Sequence, residues 1–412
     1  MAESNIPGGA GVGGKKIEAH VDSASCYKIE GWAWCPNTPS EKLRVALLSA
    51  DGARLAELPA NRRRKDLQDL SIGDGHYGFV FYGLMKSVAK IVFTAEGAAT
   101  EEPLEIEPPP IPDYLADNDA YRAFVEQCGF YLIHPDDYLF RFNIGRASLE
   151  RCVHDYISAG VAISSMLKDL CVEYSKGRPT PLDLLDFASG FGRVSRCLDS
   201  SYFNVTASDI HDEAMRFIET QNPGIKTLLS QTKPQDFTSD SSFDVIFALS
   251  FFTHMPHATY GDWVEALYKM LRPGGLLVFT AHGRVANAGA RIPLTDGYGF
   301  VPASEQKDLD SADYGQTISE LPYVVKVLHD RIGQYPVLFQ EGAEIGSGNQ
   351  DLYIVRKEVP KSTSFEEDDS LISRATLEAA LEEQRKAFYS SSSWKVTKPL
   401  RAIKALFGRR EQ

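Results

Sequence analysis

The chain has 412 residues, 43% of them hydrophobic and 24% charged, with a formal net charge of −13. That length exceeds one compact core and predicts two or three units of globular protein. The acidic balance argues against nucleic acid as the principal partner, and no apolar run nears the ~20 residues that span a bilayer.

Residues 1–16 are Gly-rich without an apolar core, so they read as a flexible tail and not as a signal peptide or anchor. Short strands broken by turn signals are then expected over 17–100, at 27–34, 42–49, 76–82 and 90–94, with Asp51-Gly52 as a tight turn. Such spacing suggests a small antiparallel sandwich. Trp32 and Trp34 share one face of their strand, and a core aromatic pair is expected there in preference to a sugar-stacking one. The basic run Arg62, Arg63, Arg64 and Lys65 is expected to be a solvated loop more than an anion site. The strings Gly31-Trp32-Ala33-Trp34, Arg64-Lys65-Asp66-Leu67 and Gly73-Asp74-Gly75 ahead of Gly78-Phe79 resemble an accessory β-domain attached to enzymes of bacterial surface-polysaccharide assembly. Cys26, Cys35, Cys128, Cys152, Cys171 and Cys197 include no C-x-x-C pair, so reduced thiols of a cytosolic protein are expected; only Cys26 and Cys35 are close enough in sequence to suggest a link.

The acidic, proline-rich stretch 101–112 marks a linker and a domain boundary. Residues 113–178 read as helical, with helices over 120–128 and 149–174, the second interrupted at Gly160. Between them Tyr131, His134, Tyr138, Phe140 and Arg141 fall in an irregular stretch where acceptor contacts are conceivable.

Residues 182–187 are short, mostly apolar and free of Gly and Pro, as a strand buried on both faces should be. The strand carries Asp186 near its end and passes into Ala188-Ser189-Gly190-Phe191-Gly192, after which a helix is expected to begin near Arg193, with Val194, Cys197 and Leu198 on one face. Strand, glycine turn and helix make the nucleotide-binding corner of a doubly wound sheet. The third glycine of the dinucleotide fingerprint is missing, and a strand-end carboxylate would repel a pyrophosphate but suits a ligand with an amino group and a sulfonium. Asp-x-Ala-x-Gly-x-Gly resembles motif I of the class I S-adenosylmethionine-dependent methyltransferases, with Ala188 where that family usually has its first glycine.

A second strand over 204–208 ends on Asp209, 23 positions past Asp186. An acid at that offset accepts both ribose hydroxyls in nucleoside-binding doubly wound folds; the alternative is capping the helix over 212–220, which Asp212 could also do. The third strand is expected at 225–230, the fourth at 245–249 and the fifth at 276–280, with an antiparallel pair at 335–339 and 352–355. Phe243-Asp244-Val245-Ile246 followed by Ser250-Phe251-Phe252-Thr253-His254 is similar to a segment of a methyltransferase subgroup, many of whose members are linked to sugar modification, and Arg272-Pro273-Gly274-Gly275 is typical of the fold. The expected architecture is therefore α/β, a doubly wound Rossmann-like methyltransferase sheet over 179–358 with an N-terminal β-sandwich-like domain and a C-terminal helical tail.

What the resemblance implies for the site is a cofactor, S-adenosyl-L-methionine, held by Asp186, Ala188, Ser189, Gly190, Gly192, Arg193, Asp209, Ile210, Ser250 and Phe251. For a hydroxyl nucleophile a general base is wanted, and His254 and His282, each at a strand mouth, are the candidates. The alternative for each is a hydrogen bond to a loop carbonyl. Arg193 and Arg284 suit an anionic acceptor or local acids, Tyr314 is a further acceptor candidate, and no residue cluster has metal-ligand spacing. The tail offers a helix over 375–389, then a stretch, 394–412, in which Lys395, Lys398, Arg401, Lys404, Arg409 and Arg410 face one acid, Glu411. Its Ser-Ser-Trp-Lys-x-Thr-x-Pro-Leu-Arg string looks like a terminal motif on bacterial polysaccharide-pathway enzymes. It suits an anionic membrane surface, or a disordered or oligomer-contacting tail. The expected activity is methyl transfer to a sugar hydroxyl of a bacterial surface glycan or its precursor, in the cytoplasm or on the inner membrane face. The alternatives are N-methylation of an amino sugar and a non-catalytic scaffold.

Overall fold

Strands buried on both faces organise the C-terminal part of the described chain. The computed structural model describes residues 4–6, 16–95, 98–99, 103–107, 119–175, 177–239, 242–303, 309–343, 345 and 349–359. The expected helix over 375–389 and the basic stretch 394–412 lie outside the described residues, as do most of 1–16 and of the 101–112 linker. Seven strands form one sheet: β1 (Leu182–Phe187), β2 (Phe203–Asp209), β3 (Lys226–Leu229), β4 (Phe243–Ala248), β5 (Leu271–Ala281), β6 (Pro336–Ala343) and β7 (Gln350–Arg356). Their order is β3-β2-β1-β4-β5-β7-β6, with β1 to β5 parallel and β7 antiparallel to both neighbours. Leu182 and Leu184 of β1 face one layer, packed with Leu167 and Cys171 of α1 (Leu149–Tyr174). Leu185 and Phe187 face the other, against Trp263 and Leu267 of the helix His257–Lys269 and Leu328 of the helix Leu321–Ile332. This is the doubly wound α/β sheet expected, and its order reverses between β1 and β4, where such sheets open a crevice. At the opposite, amino-terminal edge Arg272 bonds both Asp183 and Asp244 at 2.7 Å, tying β1, β4 and β5 together.

Two helical expectations need correction. Helix α1 is not interrupted at Gly160. A Cβ there would lie 2.3 Å from the Arg193 carbonyl oxygen, so the glycine admits the turn after β1 against the helix. The segment from Arg193 is not an α-helix but turns with a single 3-10 turn, Ser195–Cys197. Arg196 is drawn out of register by donating to the Leu132 carbonyl at 2.7 Å and to Asn222 at 2.6 Å, and only residues 198–202 remain before β2.

The N-terminal region is a two-sheet sandwich. One sheet contains Glu18–Ala24, Lys28–Trp34 and His76–Leu84; the other contains Arg44–Leu48, Arg54–Pro59 and Lys90–Ala95. Ile29, Phe79, Phe81, Val45, Leu47, Ile91 and Phe93 fill the core between them. The tryptophans are not a core pair. Ile29, Gly31 and Ala33 face inward, so Trp32 and Trp34 lie half-buried on the outer face, where Trp34 Nε1 donates to Glu18 at 3.1 Å. At Gly31 no side chain fits: a Cβ there would sit 2.0 Å from the His20 carbonyl oxygen of the neighbouring strand and 2.8 Å from the Phe79 ring. The basic run is likewise no solvated loop: Arg62–Arg63 forms a short strand, Arg64 pairs with Asp22 and Asp66, and Arg62 reaches Asp136 at 2.6 Å. Tyr131–Ile133, expected to be irregular, is a strand on the edge of the same sheet, paired with His76–Leu84. Both regions belong to one compact unit, Met1–Val359. All six cysteines are free thiols. No helix among the described residues is long and apolar enough to cross a membrane.

Candidate active site

The tips of β1 and β2 bring together most of the residues expected to hold a cofactor. Asp186 is buried, 3% exposed, and accepts from the Ser195 hydroxyl at 2.5 Å. Burial is the main reason its carboxyl is pushed up to about 6; the Ser195 hydrogen bonds pull the other way and the nearby Asp209 charge adds to the rise. Asp209 is also buried, and each of its oxygens is engaged: Oδ2 accepts the Gly190 N–H at 2.8 Å, and Oδ1 accepts the His211 N–H at 3.1 Å and meets the His211 ring Nδ1 at 2.7 Å. Asp209 thus spans both strand tips. The helix that follows, α2 (Asp212–Gln221), starts at His211 with no side-chain cap, so Asp209 does not serve it as the N-cap residue. Ile210 is half-buried beside it.

The turn itself depends on left-handed backbone. Ala188, Gly190 and Gly192 have φ of 58°, 55° and 78°. No atom lies within 4 Å of where a Gly190 Cβ would be, which leaves its backbone open to a ligand. The Gly192 position is instead crowded by Ile218 of α2 at 3.0 Å, a packing role. Ser189 donates its N–H to the Ser208 carbonyl at 2.9 Å, holding the turn to β2. Ala188 carries the one side chain of these three, and a left-handed alanine costs about 1–2 kcal/mol. Ala188→Gly should therefore raise stability by up to about 1 kcal/mol after glycine's extra unfolded freedom is deducted. Urea unfolding checks this, and a destabilised variant would mean the side chain contributes packing that outweighs the strain.

The mouths of β4 and β5 form the other wall. Ser250 is also left-handed, φ 58°, and is fastened there by its N–H to Thr280 Oγ1 at 2.8 Å and by Gln350 Nε2 donating to its hydroxyl at 2.7 Å. Phe251 packs edge-on against Phe187 and Trp263, flooring the crevice. His254 and His282 are brought together, close enough that a charge on one opposes a charge on the other. Both are tied to one hairpin, Tyr298–Val301 with Gln316–Ser319. His254 Nδ1 meets the Gly315 carbonyl at 2.7 Å, and Tyr314 stacks on its ring at 4.3 Å. A carbonyl accepts only, so Nδ1 carries the hydrogen and the basic lone pair falls on Nε2. His282 is more enclosed: burial first, then His254, lower its pKa to about 4, while a backbone hydrogen bond to Thr317 opposes that fall.

Some expected residues are placed elsewhere. Arg193 lies toward α1, 5.9 Å from the Tyr156 ring. Arg284 is held by Glu341 through two bonds of 2.9 and 3.0 Å, a local acid and not an acceptor grip. Tyr131, His134 and Phe140 are buried in packing, which removes them as acceptor contacts. His134, Asp136 and Glu213 place three donor atoms within 4.8 Å of one another, but Arg62 already neutralises Asp136 at 2.6 Å. Gln350 and Asp351, both 2% exposed, were not anticipated. Asp351 pairs with Ala281 across β5 and β7, and its Oδ2 occupies the space of a Gly283 Cβ, 1.9 Å away. A polar Gln-Asp pair opening an otherwise apolar strand, Gln350 to Val355, was the available signal.

Among curated proteins none matches the chain. Among solved structures, it is similar to an S-adenosylmethionine-dependent methyltransferase from Methanosarcina mazei, 20% identical, over 46% of this chain and 97% of that one, with a TM-score of 0.37. A second is 1,6-didemethyltoxoflavin-N1-methyltransferase from Burkholderia thailandensis, 15% identical over 63% of this chain and 97% of that one, TM-score 0.36. A third is an amino pentose methyltransferase from Micromonospora echinaspora involved in calicheamicin biosynthesis, 16% identical over 48% and 91%, TM-score 0.34. Residues 185–279, from β1 into β5, match the family model described as "Methyltransferase domain", and that segment contains every residue expected to touch the cofactor.

Proposed function

We propose that this chain is an S-adenosylmethionine-dependent methyltransferase acting on a sugar hydroxyl of a bacterial surface glycan or its precursor. The observation that carries the reading is the pair of buried carboxyls at neighbouring strand tips, Asp186 and Asp209, the second bonded to the N–H of a Gly190 whose Cβ position is open, all within the matched segment. The donor set fits the cofactor: a carboxylate for the ribose diol, a second for the ammonium, and a bare glycine for close approach. When bound, S-adenosylmethionine supplies a methyl group already activated on a sulfonium. Asp209 then holds the ribose, Asp186 attracts the amino group, and Ser250 and Phe251 line the crevice opposite. Positioning of this kind accounts for up to ~7–11 kcal/mol of rate.

His254 takes the acceptor hydroxyl's proton at Nε2 in this reading, with Gly315 and Tyr314 holding the ring. His282 is the poorer base, since a pKa lowered to about 4 gives little driving force at neutral pH. The sugar acceptor rests on the resemblance of the N-terminal strings and of the Ser250–His254 segment to glycan-modifying enzymes. The scattered cysteines without a C-x-x-C pair suggest a cytoplasmic protein, and the basic sequence of 394–412 suggests a peripheral place on the inner membrane face.

The test is methyl transfer from labelled S-adenosylmethionine to glycan precursors. His254→Gln should lower kcat by about 10²-fold while leaving cofactor affinity within twofold. An unchanged kcat would remove His254 as the base and favour an amine acceptor. Failure of the wild type to bind the cofactor would end the proposal.

A further inference from the structure

The glycine turn carries one large side chain, Phe191, between Gly190 and Gly192. Its ring does not line the crevice. It lies flat on the His134 imidazole, centroids 4.4 Å apart and planes 7° from parallel, and edge-on to Phe217 of α2 at 5.7 Å. His134 meets Phe217 edge-on as well, at 5.1 Å, so the three rings close on one another. His134 directly follows the strand Tyr131–Ile133, which belongs to the N-terminal sheet. Its ring is oriented from that side: Nδ1 accepts the Asp136 N–H at 3.2 Å, and Nε2 is left to point at Glu213, 3.6 Å away.

A second fastening runs in parallel. Arg196, on the 3-10 turn after the glycines, donates to the Leu132 carbonyl of the same strand and covers the Tyr131 ring at 4.0 Å. Its Cδ also lies 3.1 Å from the missing Gly192 Cβ. The N-terminal sandwich therefore grips the turn at two points, through a ring stack at Phe191 within it and a hydrogen bond at Arg196 just past it. A left-handed turn of three residues is costly to hold in one conformation, and glycines supply no stiffness of their own.

We infer that His134 and Arg196 are positioning residues for the cofactor turn, making the N-terminal sandwich a working part of the cofactor site and not an appended module. The inference rests on the reading that this turn binds S-adenosylmethionine. An aromatic stack of this geometry is worth about a 2- to 10-fold change in an equilibrium it biases.

The experiment is calorimetry of S-adenosylmethionine with the full chain and with His134→Ala, His134→Phe and Phe191→Leu, alongside steady-state kinetics and thermal unfolding. His134→Ala and Phe191→Leu should each weaken the cofactor about 2- to 10-fold, raising its KM and leaving saturated kcat unchanged. His134→Phe, which restores a flat ring, should recover wild-type affinity. A melting temperature that falls while affinity stays constant would overturn the inference, because the clamp would then be structural alone. If His134→Ala does not fold, Phe191→Leu with wild-type affinity overturns it by itself. No binding by the wild type instead refutes the cofactor reading, a result distinct from these.

Discussion

Asp209→Ala is expected to weaken S-adenosylmethionine binding by about 10²–10⁴-fold. In the proposed site Asp209 accepts two ribose hydroxyls, each hydrogen bond worth roughly 1.5–3 kcal/mol, and the substitution removes both. It also strips the acceptor from the Gly190 N–H and the partner from His211, so the turn loses its tie to β2. Asp209→Asn separates the two effects. Its amide oxygen still accepts the Gly190 N–H, while its NH2 takes the place of Oδ1 and faces the His211 N–H, so the tie to the turn is kept but the charge and that second partner are lost, and an intermediate loss of about 10-fold is expected. Calorimetry measures both. Wild-type affinity in Asp209→Ala would show that the ligand lies elsewhere on the sheet edge.

Asp351→Asn should stabilise the protein strongly, and only at neutral to alkaline pH. The Asp351 carboxyl is raised from 3.8 to about 7, first by burial, while the Gly342 N–H pulls it down and Glu341 pushes it further up. Between those two values the folded chain holds a proton that the unfolded chain has released. Stability therefore falls as pH rises from about 4 to about 7, on the order of 4 kcal/mol in all if no relaxation intervenes. Asparagine has the shape of the protonated acid, and its oxygen can take the Gly342 N–H that now bonds Oδ1 at 2.8 Å. The variant should gain a few kcal/mol at pH 8 and almost nothing at pH 4. Urea unfolding at the two pH values decides it: a gain equal at both would mean packing, not ionisation, is responsible. Such a penalty in the wild type, at the same sheet edge as Ser250 and His282, is what a group kept for function and not for stability would show.

The outer face of the N-terminal sandwich shows how a correct pattern can point the wrong way. Period-two spacing placed Trp32 and Trp34 on one face, but which face is inner depends on what the partner strand supplies. Phe79 and Phe81 take the interior, and the glycine and alanine of Gly31-Trp32-Ala33 make room for them. The interruption expected at Gly160 failed for a related reason. A glycine in a helix reads as a weakness until the Arg193 carbonyl, far along the chain, is seen to need its space.

From residue order alone came the strands, their buried character and the corner between Asp186 and Gly192, because continuous apolar runs and glycine turns are local properties of a chain. The offset from Asp186 to Asp209 was equally legible, since strand, turn and return to a parallel neighbour leave little freedom in length. Folding decided what chain-distant groups do to one another. It set His254 beside His282 under one hairpin, buried Asp351 until its carboxyl resists ionising, and stacked His134 of one sheet's edge on Phe191 of another's turn. Desolvation and ring contacts of this kind depend on neighbours that no sequence window contains.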